Sequence, residues 1–218
     1  MTLNFSVIGD NWQLLAKGTG ITIEVTFLAL VLGVTLGLLG GLARLSNHKI
    51  PRYLSGAYVS VFRGTPLLVQ LFIWYFGLPE LGIQPTPMVA AVLGLALYSG
   101  SYQTEIVRGA IQSIEKGQME AARSLGLSYF QAMRHVIIPQ AFLRMLPPLG
   151  NEFVALTKNS SLVSLVTLQE VLLTADMIIS RTFRALELYL AVAVIYYIIT
   201  TIITTLTRYA ERRIGVYL

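Results

Sequence analysis

The chain has 218 residues, of which 55% are hydrophobic and only 12% are charged, and its formal net charge is +5. Soluble domains carry charge on about 25% of their residues, so this composition excludes an ordinary soluble domain and predicts an integral membrane protein. We therefore interpret the positive charge as the lysine and arginine excess of cytoplasmic membrane loops, and not as a nucleic-acid-binding surface.

Five apolar segments follow a polar N-terminal stretch. Residues 1–18 lack the basic region of a secretory signal, and no small-residue cleavage site follows them, so the first apolar segment is expected to stay in the mature protein. A transmembrane helix needs about 20 mostly apolar residues. Five segments meet this requirement, and they cover residues 21–43, 53–78, 87–107, 146–173 and 186–207. Since no internal repeat or linker interrupts them, we predict an all-α, multi-pass membrane protein in which residues 1–218 form one domain.

The basic residues outside these segments predict the orientation of the chain. Eleven of them lie in the loop between the first two segments, in the long loop over residues 108–145 and in the C-terminal tail, whereas three lie on the opposite side. Cytoplasmic loops are enriched in lysine and arginine. We therefore expect the N-terminus outside the cell and the C-terminus and the 108–145 loop in the cytoplasm.

The first segment is rich in glycine. Small residues let transmembrane helices approach one another closely, so we expect these glycines to pack against another helix. They are Gly33, Gly37, Gly40 and Gly41. Glu24 lies near the outer end of the same segment and is expected to be an interfacial carboxylate.

The 108–145 loop contains a pattern that is typical of two short helices. The first covers residues 118–125, and Gly126 stands where a glycine commonly ends a helix. Ser128 and Gln131 then have the spacing of a capping box, which predicts the start of a second helix that Pro139 would end. An amphipathic hairpin lying on the membrane surface and a docking site for a soluble partner both fit this pattern.

The same loop resembles the EAA loop of ATP-binding-cassette (ABC) importer permeases. Its residues are Glu120-Ala121-Ala122, Gly126 and the ending Val136 to Pro139, in which valine and isoleucine replace the usual isoleucine and leucine. Further stretches resemble the polar amino-acid uptake branch of these permeases, so the resemblance covers nearly the whole chain. These stretches are residues 62–70, 102–109 and 151–162.

The resemblance implies a fold, a set of partners and a docking site. The implied fold is that of a type I importer permease, with five transmembrane helices and a cytoplasmic coupling helix. The implied partners are ABC ATPase subunits, which bind the ATP and Mg²⁺, an extracytoplasmic substrate-binding protein, and a second permease copy, identical or a sibling. The chain itself would hold no cofactor and would lie in the inner membrane of a prokaryote. The residues implied to dock the ATPase are Glu120, Ala121, Ala122 and Gly126.

Polar side chains inside the predicted spans are candidates for the substrate pathway, because ionisable groups in a bilayer are costly and usually functional or paired. In the third segment, Tyr98, Ser101 and Glu105 share one helix face, although Glu105 could simply pair with Arg108. In the fourth, Pro147 and Pro148 are expected to prevent a regular helix at its start, and beyond them a polar face follows. That face carries Glu152, Asn159 and, somewhat off-axis, Ser160.

The charge of Glu152 bears on the substrate. A cationic amino acid needs an acidic partner once it is desolvated, so Glu152 favours arginine, lysine or histidine as the substrate. A neutral substrate such as glutamine would instead leave Glu152 to pair with Arg63 or Lys158. Arg63, in the second segment, is therefore a further pathway candidate.

The sequence gives no indication of an enzyme. A phosphate-binding loop of the form G-x-x-x-x-G-K-[ST] does not occur, and there is no cysteine. His48 and His135 are the only histidines, so neither a metal cluster nor a histidine-based triad is expected. A self-contained channel or secondary transporter is the alternative class, and the lack of an inverted repeat argues against most secondary transporters.

Overall fold

The computed structural model describes residues 3–215, and these form helices and connecting turns without a β-strand. The predicted all-α class is therefore confirmed for this part of the chain, while the predicted cytoplasmic end at Leu218 lies outside it. The α-helices are α1 (Ser6–Asp10), α2 (Trp12–Leu45), α3 (Lys49–Gly64), α4 (Leu67–Phe72), α5 (Leu78–Glu80), α6 (Pro87–Gln112), α7 (Lys116–Ser124), α8 (Tyr129–Ala132), α9 (Ile138–Asn159), α10 (Val171–Thr182) and α11 (Ala185–Gly215). Two π-helical turns, Ile73–Gly77 and Met133–Ile137, and one 3₁₀ helix, Ser160–Val166, continue some of them.

Helix α6 lies at the centre of the molecule and packs against α2, α3, α4 and α9. Half of its 26 residues are buried. Its longest contact is with α2, where the glycines of α2 face α6 as the sequence predicts. A Cβ atom on Gly37 would lie 2.5 Å from the Cβ of Gln103, and one on Gly41 would lie 2.5 Å from a methyl group of Val107. Only glycine allows the two backbones to approach this closely.

The second apolar segment is not one straight helix. Helix α3 and the stretch from α4 to α5 meet at 104°, and the bend lies at Thr65 and Pro66. The side-chain amide of Gln70 stabilises the bend, because its nitrogen donates to the main-chain oxygens of Phe62 (2.9 Å) and Thr65 (3.2 Å). These carbonyls at the end of α3 would otherwise have no helical partner.

The fourth apolar segment begins earlier and ends earlier as a helix than the sequence predicts. Helix α9 starts at Ile138 and includes both Pro147 and Pro148, so the expectation that these prolines prevent a regular helix is wrong. Packing of α9 against α6 on one side and α11 on the other holds the helix together although each proline lacks a backbone donor. The regular helix ends at Asn159, well before the predicted residue 173.

Pro139 likewise does not end a helix. The π-helical turn at Met133–Ile137 widens the backbone directly before it, so that α8 continues into α9 without a break. A wide turn provides room for the proline ring, which would clash with a carbonyl in a regular α-helix.

The two bent segments contact each other at the break between the 3₁₀ helix Ser160–Val166 and α10. Thr167 adopts a left-handed conformation with φ of 62°, and α10 then leaves at 49° to the preceding helical stretch. The hydroxyl groups of Thr167 and Tyr75 are 2.7 Å apart, and Tyr75 belongs to the first π-helical turn. One hydrogen bond thus connects the irregular part of one segment with that of the other.

By length and composition, fewer spans qualify than the five predicted. Helices α2 and α11 are each long and apolar enough to cross a membrane, and the two bent pairs raise the number to at most four among residues 3–215. Helix α6 is long enough, but from Tyr98 onward it is too polar to qualify. Four polar side chains of this half are buried, namely Ser99, Ser101, Gln103 and Thr104, whereas its tyrosines and charged residues are half-buried and Gln112 is exposed.

Candidate functional site

The 108–145 loop folds into the predicted helical hairpin. Helix α7 ends in a Schellman motif, in which the amide of Leu127 donates to Ala122 (3.2 Å) and that of Gly126 donates to Arg123 (3.0 Å). Gly126 has a φ of +85°, which other residues rarely adopt. The predicted role of Gly126 as a helix stop is confirmed.

The second helix of the hairpin begins at the predicted capping box. The Ser128 hydroxyl accepts from the Gln131 amide at 3.3 Å, and the Gln131 side chain accepts from the Ser128 amide at 2.8 Å. These reciprocal bonds satisfy two backbone donors at the helix start. The tip of the hairpin is thus defined by local hydrogen bonds on both sides of Gly126.

The outer surface of the hairpin exposes both charge and large apolar side chains. Glu120 and Ala121 are exposed, whereas Ala122 is buried against the rest of the chain. At the tip, Leu125 is 84% exposed and Phe130 is 72% exposed. Side chains of this kind, exposed together at a helical tip outside the spans, are typical of a docking surface.

A second group of polar residues surrounds Glu152 within the bundle. The Glu152 carboxylate on α9 accepts a hydrogen bond of 2.8 Å from the Ser99 hydroxyl on α6, and Gln103 donates to the Ser99 oxygen at 2.9 Å. Among residues 3–215 no arginine or lysine forms an ion pair with Glu152. The predicted pairing with Arg63 or Lys158 is therefore not formed in this structure.

Aromatic rings and one cation complete this group. The guanidinium carbon of Arg63 lies 4.8 Å from the centroid of the Tyr102 ring, and the hydroxyls of Tyr102 and Tyr98 are 3.2 Å apart. Tyr98 directly precedes Ser99 on α6, so this group includes Glu152, Tyr98 and Arg63, which the sequence singles out on three different segments.

Other predicted pathway residues have partners elsewhere. Glu105 binds Arg108 at 2.6 Å and Arg44 at 3.4 Å, so the predicted Glu105–Arg108 ion pair is confirmed and extends to α2. Ser101 and Ser160 are fully buried, and each donates to the main-chain oxygen three residues earlier in the chain, Tyr98 and Thr157 respectively. The remaining candidate is half-buried and lies at the end of α9: Asn159.

Sequence reasoning did not single out Ser99, Gln103 or Glu170. Glu170 is fully buried and caps α10 by accepting from the Leu173 amide, and it also accepts from Tyr196 of α11 at 2.9 Å. An acidic residue directly before an apolar helix is a recognisable N-cap signal. Ser99 and Gln103 lie beside the polar face predicted for α6, and only the packing of α9 shows that Ser99 reaches Glu152.

Comparisons with known proteins agree with this architecture. Residues 27–216 match the family described as binding-protein-dependent transport system inner membrane component. The chain is 39% identical to the glutamine transport system permease protein GlnP of Escherichia coli, over 99% of this chain and 100% of that protein. It is 37% identical to the arginine transport system permease protein ArtQ of Bacillus subtilis, over 98% of each. A solved structure described as an amino acid ABC transporter with histidines has a TM-score of 0.92 and 41% identity, and the match covers 98% of this chain and 100% of that one.

Proposed function

We propose that this chain, which belongs to the family of inner-membrane components of binding-protein-dependent transport systems, conducts a basic amino acid through the cell membrane by alternating access. Its relatives are permeases of amino-acid ABC transporters, and it is an amino-acid ABC transporter permease with membrane-spanning helices. A permease of this kind is not itself an enzyme. We assign ATP hydrolysis to a separate subunit that binds the nucleotide and Mg²⁺.

The proposed complex contains two permease copies, ATPase subunits in the cytoplasm and a binding protein outside. The exposed surface formed by Glu120, Ala121, Leu125 and Phe130 supports ATPase docking at the hairpin, since this surface has no partner within the described chain. Gly126 shapes the backbone of its tip.

We retain five spans and an N-out, C-in orientation within this proposal. Helix α6 counts as a span because four of its polar side chains are buried and Glu105 is paired with Arg108 and Arg44, so the costly groups have partners within the bundle. The distribution of lysine and arginine supports the orientation.

The carboxylate of Glu152 is the observation that carries the substrate assignment. It has a hydroxyl donor in Ser99 but no ion-pair partner among residues 3–215, so it can accept the cationic side chain of arginine, lysine or histidine. We assign to Arg63 the attraction of the α-carboxylate of the same substrate, and to Asn159 and Ser160 further polar contacts. The relative described with histidines supports a basic substrate.

Glutamine is the second candidate, because the glutamine permease of Escherichia coli is as similar to this chain as the arginine permease of Bacillus subtilis. In that case the charge of nearby Arg63 would balance Glu152. The two substrates differ in whether the carboxylate of Glu152 is required.

The test is Glu152→Gln in proteoliposomes that contain the permease, its ATPase and its binding protein. This change would remove the proposed charge pair between Glu152 and the cationic group of the substrate. We therefore expect arginine uptake and arginine-stimulated ATPase activity to fall about tenfold. Glu24→Gln is the matched control, because Glu24 is an exposed carboxylate on α2 outside the Glu152 group. Wild-type arginine uptake by Glu152→Gln, with binding-protein docking intact, would exclude the basic assignment.

A further inference from the structure

Gln103 is almost completely buried between α6, α2 and α9, with 1% of its surface exposed. Its amide nitrogen donates to Ser99 at 2.9 Å, and the fully buried Ser99 hydroxyl donates to Glu152 at 2.8 Å. These three side chains form a continuous chain of hydrogen bonds from the inside of the bundle to the carboxylate.

The direction of these hydrogen bonds follows from the chemistry of the three groups. An ionised carboxylate can only accept, so the single hydroxyl proton of Ser99 is directed to Glu152. The Ser99 oxygen can then only accept from its other neighbour, and Gln103 must present its NH₂ group. Every hydrogen in this chain of hydrogen bonds therefore points toward Glu152, and the Ser99 donor holds the carboxylate in one orientation.

Helix α2 holds Gln103 in this position. A Cβ atom on Gly33 would lie 3.1 Å from the Gln103 side-chain nitrogen, and one on Gly37 would lie 2.5 Å from its Cβ. The Gln103 side-chain oxygen is buried and has no hydrogen-bond partner among residues 3–215. A buried acceptor without a partner is costly, so packing alone would favour an apolar side chain of the same size.

We propose that Ser99 and Gln103 are positioning residues that direct the Glu152 carboxylate toward the cationic group of the substrate. Helix α2 contributes to this positioning, because its glycines Gly33 and Gly37 pack against the Gln103 side chain. This inference rests on the proposed contact between Glu152 and a cationic substrate, and it adds the selectivity of that contact.

The test compares arginine with citrulline, which replaces the guanidinium group with an uncharged urea of nearly the same shape. Both are titrated into the purified permease–ATPase complex without the binding protein, so that the dissociation constants report on the permease. The variants are Ser99→Ala and Gln103→Met, together with Glu152→Gln. Thr104→Val is the control, because Thr104 is equally buried on α6 and bonds only within its own helix.

Ser99→Ala and Gln103→Met are each expected to weaken arginine binding about tenfold and to leave citrulline binding nearly unchanged, because only the charged group depends on the oriented carboxylate. An equal loss for both ligands would overturn the inference, since it would indicate a purely structural role. If only Glu152→Gln removes the preference for arginine, the positioning role is overturned and the proposed function stands. If Glu152→Gln also keeps that preference, the proposed contact itself is wrong, and the positioning role is overturned with it.

Discussion

Gly126 shapes the tip of the helical hairpin through its backbone conformation. Nothing lies within 4 Å of a Cβ atom placed there, whereas its φ of +85° is strained for any residue with a side chain. We predict that Gly126→Leu leaves the protein in the membrane but weakens ATPase association and stimulation, because the strain of about 1–2 kcal/mol would distort the docking tip. Co-purification of the ATPase subunit and its turnover measure this effect.

Two variants make the Gly126 experiment specific. Gly126→Asn tolerates the left-handed conformation and is expected to retain most coupling. Gly117→Leu introduces the same bulk on α7, also with open space around it but without a positive φ, and is expected to behave as wild type. Wild-type coupling in Gly126→Leu would contradict the assignment of the tip.

Local residue patterns predicted the hairpin well and the Glu152 group only in part. The roles of Gly126 and Ser128 depend on neighbours within a few residues, which a sequence displays directly. The Ser99–Glu152 hydrogen bond joins residues 53 positions apart, and its formation depends on how α9 packs on α6. Ser160 illustrates the limit, because its hydroxyl donates to the main-chain oxygen of Thr157 instead of joining Glu152.

Helices α2 and α6 form the most extensive helix–helix contact of the bundle. Gly37→Leu would force the side chain into the Cβ and backbone of Gln103, and overpacking of this kind typically costs about 1–3 kcal/mol. We predict that Gly37→Leu lowers the amount of folded protein in the membrane and its thermal unfolding temperature. Gly20→Leu on the same helix has open space around it and is the matched control. Equal stability of both variants would contradict this packing arrangement.

Some helix ends that were predicted incorrectly from the sequence were predicted from prolines. Each of the two π-helical turns, Ile73–Gly77 and Met133–Ile137, ends two residues before a proline, namely Pro79 and Pro139. Helix α9 continues to Asn159, well past Pro139, whereas α5 ends at Glu80, one residue after Pro79. The wider turn accommodates the proline ring in both places. Pro139 therefore marks a change of helix geometry and not a helix end, which the sequence around it does not show directly.

At the scale of the whole molecule, the orientation can be tested independently of transport. We predict that reporter fusions at Lys116 and after Leu218 behave as cytoplasmic and that one near Gln84 behaves as external, because eleven basic residues lie on the predicted inner side. Activity of paired reporters that work only on one side of the membrane measures this. An external signal at Lys116 would contradict both the span count and the docking role of the hairpin.

We propose that this chain forms a transport pathway driven by a separate ATPase. The accumulation of radiolabelled arginine can be measured in proteoliposomes that contain the chain alone or together with its ATPase and binding protein. We expect accumulation against a gradient only when all three components and ATP are present. Arginine uptake by the chain alone without ATP would contradict this proposal and would instead indicate a self-contained channel or secondary transporter.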